Sequence, residues 1–317
     1  MHGKELLKYK DFVIDELSRI EQLNLSQIDD LHYNFELLYA QLIKKSTKGS
    51  LDRRIVLSEA YNGIMKILSE RRKRIGKPID TFGFSSLLID RINRYIKSRP
   101  IKVFEVGCGT GIFIQAMIER GHDAEGIDLS ENCIAIGRER LRKNNILIKR
   151  EQVLHNGDFL SFKSNYEGKY DLLFSNDVLE HIHPDEGEEF LEKCCRMLKP
   201  KGVLWLITPN KLMGPGDATI FKHPIGTKSC GLHLKEYLLS ELYHLLIGSG
   251  FEDISSRLYT AGRFRGNGTS IRQIYTKIKI KIEPHMFVLK PKVRKKIMSI
   301  MSWSEVVAKK KKNNIYI

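Results

Sequence analysis

The sequence predicts an α/β protein with a mostly parallel sheet and a helical segment in front of it. Three observations carry this. From Ile101 onward, short apolar runs alternate with amphipathic segments of helical period; the first hundred residues show the helical period alone; and a glycine-rich turn, VGCGTG, joins the first strand of the alternating part to its first helix. With 317 residues, the chain can bury a full core as one large domain with additions or as two modest ones.

Within the front segment, Leu6, Leu7, Phe12, Val13, Leu17 and Ile20 recur at helical steps. Ile28, Leu31, Phe35, Leu38 and Leu42 follow the same rule, with Ser26 as the expected cap of that second helix. A third helix is expected from Asp52 to about Arg74, where Gly76 and Pro78 stop it and RRKRIGK reads as a helix end. FSSLLIDRINRYIKS supplies a fourth that leads to Pro100. Residues 1–99 thus read as a helical extension, either a cap over a binding site or a dimer contact.

The alternating part begins with IKVFEVG as a strand, GIFIQAMIERG as a helix closed by Gly121, HDAEGIDLS as a strand and ENCIAIGRERLRKNN as a helix opened by Ser130. EQVLHNGDF and KYDLLFSN continue as strands, EGEEFLEKCCRMLK as a helix and GVLWLITPN as a strand. Such alternation implies a parallel sheet covered on both faces, with the ligand at the carboxyl ends of the strands.

A formal net charge of +15 suits nucleic acid, an anionic membrane surface or an acidic small substrate, so where the charge sits matters more than its total. Cys108, Cys133, Cys194, Cys195 and Cys230 show no zinc-type spacing and suit a reducing compartment, which argues against a disulfide or metal framework. No stretch approaches the roughly 20 apolar residues of a membrane span. The start, MHGKELLKYKDFVIDEL, breaks its apolar residues with charges where a secretory signal needs a continuous run, and a cytoplasmic location is expected.

VFEVGCGTGIF, residues 103–113, could serve three kinds of ligand. A triphosphate loop needs Lys then Ser or Thr after its last glycine, and Ile112 and Phe113 stand there instead. A dinucleotide turn needs GxGxxG, whereas the glycines are Gly107, Gly109 and Gly111; an NAD-dependent oxidoreductase is the weaker reading. What is present is a strand ending in an acid, Glu105, followed by GxGxG, and this resembles the first motif of class I S-adenosylmethionine-dependent methyltransferases. Asp128 follows about 20 residues later at the end of the second strand, where an acid can accept from both ribose hydroxyls. NGDF offers Asp158 with Phe159 for the adenine, and YDLLFSNDVLEHI, LKPKGVLWLITPN and GLHLKEYLLSELYHLLIGSGFEDI resemble the family's later segments in the same order.

The resemblance covers about residues 100–260 and is strongest in the small-molecule branch that includes ubiquinone-type O-methyltransferases. It implies a Rossmann-like, seven-stranded, mostly parallel sheet with an antiparallel last strand, for which SEVVAKKKK from Ser304 is the fitting segment. The organisation expected is a helical extension over 1–99, the methyltransferase core over 100–262, a basic insertion over 263–302 and the last strand with its basic tail over 303–317. The resemblance also implies S-adenosylmethionine as cofactor, held by Glu105, Gly107, Cys108, Gly109, Thr110, Gly111, Asp128, Leu129, Asp158, Phe159, Asn176 and Asp177. Glycines let the backbone pass close to the donor, and amides at a helix start favour its carboxylate.

Catalysis here asks little of side chains, because a sulfonium donor already carries a reactive methyl group. Alignment with the acceptor atom can supply much of the roughly 7–11 kcal/mol available from proximity, and a base, worth about 10²–10⁴ in rate, is needed only when the acceptor must lose a proton. His181 in DVLEHI and His233 in GLHLKEY are the candidates for that base, with His183 and His223 behind them; each also reads as a histidine that orders its loop. Asp177, Glu180 and His181 form an acid–His segment of the kind in which some ubiquinone-type enzymes bind a divalent ion. Three groups on one loop do not close a site, and no metal is expected.

After the fourth strand stands SNDVLEHI, not the Pro-Pro-aromatic segment of amino-methylating nucleobase enzymes, and no proline precedes a cysteine as cytosine-C5 chemistry requires. Nucleic acid is therefore disfavoured. A small-molecule acceptor is expected, oxygen first, free or linked to glycan or lipid, with TPNKLMGPGD as a flexible cover; RNA or protein methylation and a noncatalytic cofactor-binding module are the alternatives. Residues 263–300 carry eleven Lys and Arg against the single acid Glu283. Ile271, Ile274, Ile278 and Ile282 are spaced like a helix face, although IKIKI alternates as a strand would. This run is either a solvated face or a basic amphipathic surface that holds the chain near anionic membrane.

Overall fold

The structure, a computed structural model, describes residues 3–77, 86–96, 100–144, 146, 153–162, 166–256, 269–301 and 305–311. Helix α1 (Gly3–Ser18) leads through a 3-10 turn at Ile20–Gln22 into α2 (Leu25–Lys45). Asn24 caps α2: its side chain accepts from Gln27 N at 3.0 Å, and the Gln27 side chain accepts from Asn24 N at 2.9 Å. Ser26, the cap expected from sequence, lies inside the first turn, because this reciprocal box closes two residues earlier. Ser50 caps α3 (Leu51–Arg74) by accepting from Arg53 N, and α4 (Ser86–Tyr95) follows. The first three helices share a core of Val13, Ile28, Phe35, Leu38, Ala60 and Ile67 that also takes in Leu232 and Leu234 from far along the chain.

The sheet contains β1 (Lys102–Val106), β2 (Asp123–Asp128), β3 (Leu154–Asn156), β4 (Tyr170–Asn176), β5 (Leu198–Ile207), β6 (Phe251–Ser256) and β7 (Glu305–Lys310), in the order β3-β2-β1-β4-β5-β7-β6. Neighbours pair in parallel except β7, which runs antiparallel to both β5 and β6. Helices α4, α5 (Ile112–Glu119) and α6 (Glu131–Lys143) cover one face through Ile92, Phe113, Met117 and Ile134. Helices α7 (Gly187–Met197) and α8 (Leu239–Gly248) cover the other through Phe190, Leu191, Leu242 and Leu246. Ser130 caps α6 as expected, accepting from Cys133 N. Chain order reverses between β1 and β4, one leading outward to β2 and β3 and the other to β5, so a crevice opens at their carboxyl ends.

Between β6 and β7 lie α9 (Thr269–Ile282), a 3-10 turn at Glu283–Val288 and α10 (Pro291–Met301). The helical reading of IKIKI is the one realised, but its isoleucines divide: Ile274 and Ile278 are exposed, Ile280 and Ile282 pack against the core, and Thr276 and Lys279 are buried, as is Glu283 in the turn that follows. Hydrogen bonding decides this orientation. Thr276 Oγ1 accepts from Ser256 N at 2.7 Å, and the two Glu283 carboxylate oxygens accept from Leu239 N and Ser240 N at 2.7 and 2.9 Å, satisfying free amides at the start of α8. Arg263, Arg265 and Ser304 lie outside the described residues. No helix among the described residues is long and apolar enough to cross a membrane.

The front helices grip the sheet half through buried polar contacts. Arg53, 3% exposed, donates to Asp185 Oδ1 at 2.9 Å, stands 2.9 Å from Glu186 Oε1 and donates to Ser46 Oγ at 3.0 Å. Asn62 Oδ1 accepts from Ser130 Oγ at 3.1 Å. Between α2 and α3, close approach depends on Gly63, where an added Cβ would fall 2.1 Å from Cζ of the buried Phe35. Gly63→Val therefore overpacks this contact. It is expected to lower stability by about 1–3 kcal/mol in urea unfolding, with the melting of the front helices as the readout; unchanged stability would show that α2 and α3 part freely.

Candidate active site

Three glycines in the turn after β1 serve different ends. All have positive φ, at 74°, 50° and 71° for Gly107, Gly109 and Gly111. A Cβ on Gly107 would meet Val178 Cγ2 at 2.2 Å, and one on Gly111 would meet Leu154 Cδ2 at 2.8 Å; at Gly109 nothing lies within 4 Å. The outer two glycines thus let the turn press against β3 and the segment after β4, and the middle one borders open space. Gly107 N and Cys108 N donate to Ile127 O, and Arg140 holds Thr110 from behind, donating to its hydroxyl at 3.2 Å and to its carbonyl.

Asp128 ends β2 beside this turn. Its Oδ2 accepts from Gly109 N at 2.7 Å and its Oδ1 from Ser130 N at 2.8 Å, so each oxygen keeps one further acceptor direction. Burial raises its pKa, and the two amides oppose that. Glu105 lies behind the turn, 1% exposed, with neither carboxylate oxygen hydrogen-bonded among the described residues. Desolvation, then the Asp128 charge, push it well above the usual carboxylate range. A buried acid without partners, beside an acid with spare acceptor capacity, fits a cationic ligand that also presents hydroxyls.

Asp158 turns back on its own loop, accepting from Leu160 N and Ser161 N, and Phe159 packs edge-on to Phe190. Asn176 Nδ2 donates to Asp177 Oδ2 at 2.8 Å, and Asp177 itself sits at φ 52°, a left-handed conformation at the end of β4.

One cavity of about 760 Å³ joins these groups to a second cluster. Gly107, Cys108, Gly109, Thr110, Asp128, Leu129, Asp158, Phe159, Asn176 and Asp177 line it, as do His181 and His233. Glu105 and Gly111 stand off the wall, one beneath the turn and the other at the start of α5. His183 lines the cavity with Nδ1 against Asp185, whereas His223 meets Tyr33 at 3.0 Å outside it.

The second cluster is polar and buried. His181 Nδ1 donates to Leu232 O at 3.0 Å, which leaves Nε2 unprotonated in the neutral ring; desolvation and the charge of His233 lower its pKa to about 3. His233 packs edge-on to it at 4.8 Å and directs Nδ1 to Glu236 Oε1 at 2.9 Å; although desolvation lowers its pKa, Glu236, Glu180 and Asp217 raise it to about 9. Glu180 is fully buried: Oε2 accepts from Thr208 Oγ1 at 2.9 Å, Oε1 has no hydrogen-bond partner among the described residues, and burial lifts its pKa to about 8. Ligand atoms of Glu180, His181 and His233 all lie within 4.8 Å of one another, so a cation, were one required, would bind between two loops and not on the single loop considered from sequence.

Several wall residues gave no motif in the sequence. Tyr61, Met65 and Leu68 of α3 face the cavity, as do His32 and Glu36 of α2. Tyr61 stacks edge-on against His181 at 5.6 Å. Glu36 Oε2 accepts from Ala218 N and Leu232 N at 3.0 and 3.4 Å. Helical period marked their helices but could not say that these faces close over the sheet's crevice.

A family profile described as a methyltransferase domain matches residues 80–256. The ubiquinone biosynthesis O-methyltransferase of Methylococcus capsulatus is 31% identical over 110 residues, 35% of this chain and 44% of that protein. That of Haemophilus ducreyi is 32% identical over 112 residues, 35% of this chain and 47% of that protein. The chain thus spans about half the length of the curated relatives it matches. Phosphoethanolamine N-methyltransferase 2 of Haemonchus contortus, solved with phosphomonomethylethanolamine and S-adenosylhomocysteine, is 17% identical with a TM-score of 0.51, covering 82% of this chain and 60% of that one, a likeness of fold alone.

Because only Gly109 borders open space, Gly109→Arg should weaken S-adenosylmethionine binding by at least about a hundredfold, roughly 2.7 kcal/mol by calorimetry, with little loss of fold. Gly107→Ala should instead lower the melting temperature through its clash with Val178. Equal donor affinity in Gly109→Arg and the parent would remove the turn from the donor site.

Proposed function

The chain belongs to the methyltransferase-domain family and is a class I S-adenosylmethionine-dependent methyltransferase; from that premise we propose that it methylates an oxygen of a small-molecule acceptor held between the glycine turn and the His181–His233 cluster. The observation that carries this reading is the single cavity reaching from Gly109 and Asp128 to both histidines under a roof of α2 and α3. Its volume falls within the range of small-molecule sites, roughly 300–1,000 Å³. Of the two roles open to the front helices, the placement of Tyr61, Met65 and Leu68 on the wall supports the cap.

Bound S-adenosylmethionine supplies an electrophilic methyl group. In this reading Asp128 accepts from the ribose hydroxyls with the acceptor directions its amide contacts leave free, and Glu105, held neutral by burial, becomes a counter-charge beneath the turn when the cationic donor is bound. His181 takes the acceptor's proton at Nε2. The imidazolium so formed has Glu180 Oε1 as its counter-charge at 3.9 Å, and the protonated His233 faces the oxygen that loses its proton. With a pKa of about 3 the imidazole is a weak base on its own, so hydroxyl deprotonation at Nε2 depends on an ionised Glu180 beside it, and a base so assisted favours oxygen over nitrogen as the acceptor atom. The names of the matched O-methyltransferases point the same way.

Incubation with methyl-labelled donor and fractionated cell extract, followed by identification of the labelled product, tests the assignment; label found only in RNA or protein would overturn it. The pH profile tests the cluster. Glu180 is protonated below about 8 and charged above it, so the counter-charge appears as pH rises through 8; His233 loses its charge as pH rises through about 9. kcat/KM should therefore rise towards pH 8 and fall beyond 9, with both limbs belonging to the coupled cluster. His181→Gln should cost about 10²–10⁴ in kcat and flatten the profile. A loss below tenfold would leave alignment alone as the source of rate.

A further inference from the structure

Helix α9 turns Thr276 and Lys279 inward beside Ile280 and Ile282, since Thr276, and Glu283 in the turn that follows, are committed to β6 and to the start of α8. That leaves Ile274, Lys277, Ile278 and Lys281 as one exposed stripe at i, i+3, i+4 and i+7. The chain runs on into an exposed tip, Phe287 and Val288, the latter 85% exposed, and then to Lys290, Lys292 and Val293 at the start of α10. Lys277, Lys281, Lys290 and Lys292 make no ion pair among the described residues, and Glu283, the single acid between Thr269 and Met301, is buried. Aliphatic and aromatic side chains left in water beside unpaired lysines fit one surface on both counts: the headgroup layer of an anionic bilayer receives apolar groups and supplies phosphates. A soluble polyanion would satisfy the lysines and leave the apolar groups wet.

We propose that α9, the Phe287–Val288 tip and the first turn of α10 form a docking surface for anionic phospholipid membrane. Ile274, Ile278, Phe287 and Val288 enter the headgroup region, and the four lysines meet lipid phosphates. The surface adjoins the acceptor side of the cavity. Arg294, 7% exposed, lies under the Phe287 ring with its guanidinium carbon 5.8 Å from the ring centre and donates to Leu212 O at 2.9 Å. Leu212 belongs to the connection after β5 that also brings Pro209, Gly216, Asp217 and His233 to the cavity wall. Resting on the methyl-transfer reading above, this position favours an amphiphilic acceptor taken up from the bilayer.

Sedimentation with vesicles tests the surface without any need for activity. The full chain should pellet with mixed phosphatidylcholine–phosphatidylglycerol vesicles at low salt and stay in solution with phosphatidylcholine alone. Each lysine near an anionic surface strengthens binding by roughly fivefold, so K277Q/K281Q/K290Q/K292Q should lose at least about a hundredfold. F287S/V288S should also lose at least about tenfold, because the apolar contribution goes with it. Both variants should keep their parent melting temperature and donor affinity, which separates lost docking from lost fold. Equal pelleting with both lipids, or none with either, overturns the proposal. So does binding that depends on the lysines and ignores Phe287 and Val288, the mark of a polyanion site, or a dimer in gel filtration that F287S/V288S dissociates, the mark of a second copy. Vesicle binding without methyl transfer would sink only the acceptor reading, and methyl transfer to a soluble acceptor without vesicle binding only the surface.

Discussion

A buried carboxylate from the second helix holds together the half of the cavity around His181 and His233. Glu36 reaches 182 residues along the chain to accept from Ala218 N, and its other oxygen stands 3.0 Å from His32 Nε2. Desolvation works against its charge, but His32 and the backbone amide outweigh it and hold the pKa below the usual carboxylate range. A charge so buried is costly unless fully partnered. The front helices and the connection after β5 are therefore obliged to meet at one geometry. Leu232 accepts from His181 through its carbonyl and donates to Glu36 through its amide, so the same residue sets the histidine's tautomer and anchors the helical roof.

The half around the glycine turn depends on packing more than on charge. Gly107 and Gly111 are places where Val178 and Leu154 occupy the room a side chain would need, so the turn is pulled flush against the segment after β4 and against β3. Only then can Asp128, at the end of β2, reach Gly109 N, and only then does Gly109 face the crevice. The two halves meet at the point where chain order reverses, because the connections from β1 and β4 leave in opposite directions and neither crossover helix covers the gap between the strand ends.

Much of the cavity wall around the glycine turn was legible because it is written in consecutive residues. The strand, the glycines and Asp128 are set by local geometry, and the order of later segments followed. Glu105 shows the limit of that reading: its place at the strand end was legible, but its depth was not, since burial on the far side of a turn depends on what packs over the strand. The half around His181 and His233 was legible only as isolated histidines. That His181 is neutral follows from its burial beside a charged His233, and that His233 is charged follows from Glu236, Glu180 and Asp217, which are distant in sequence from one or both rings, and no local pattern encodes such a pairing. Tyr61 was legible as part of a helix and illegible as a wall, for the same reason.

Helix α9 marks a different boundary of sequence reading. Periodicity identifies a helix and divides it into two faces, but the inference that the apolar face is the buried one assumes that burial is driven by hydrophobic gain alone. Here the polar face makes contacts the fold needs: Glu283 satisfies amides of α8 that would otherwise stay unpaired, and Thr276 takes the Ser256 amide at the end of β6. Each unmet buried amide costs about 1–3 kcal/mol, comparable with the roughly 1.5–3 kcal/mol gained by burying one isoleucine. With three amides at stake against the two isoleucines exposed, Thr276 and Glu283 take the interior beside Ile280 and Ile282. A helix so oriented leaves Ile274 and Ile278 in water.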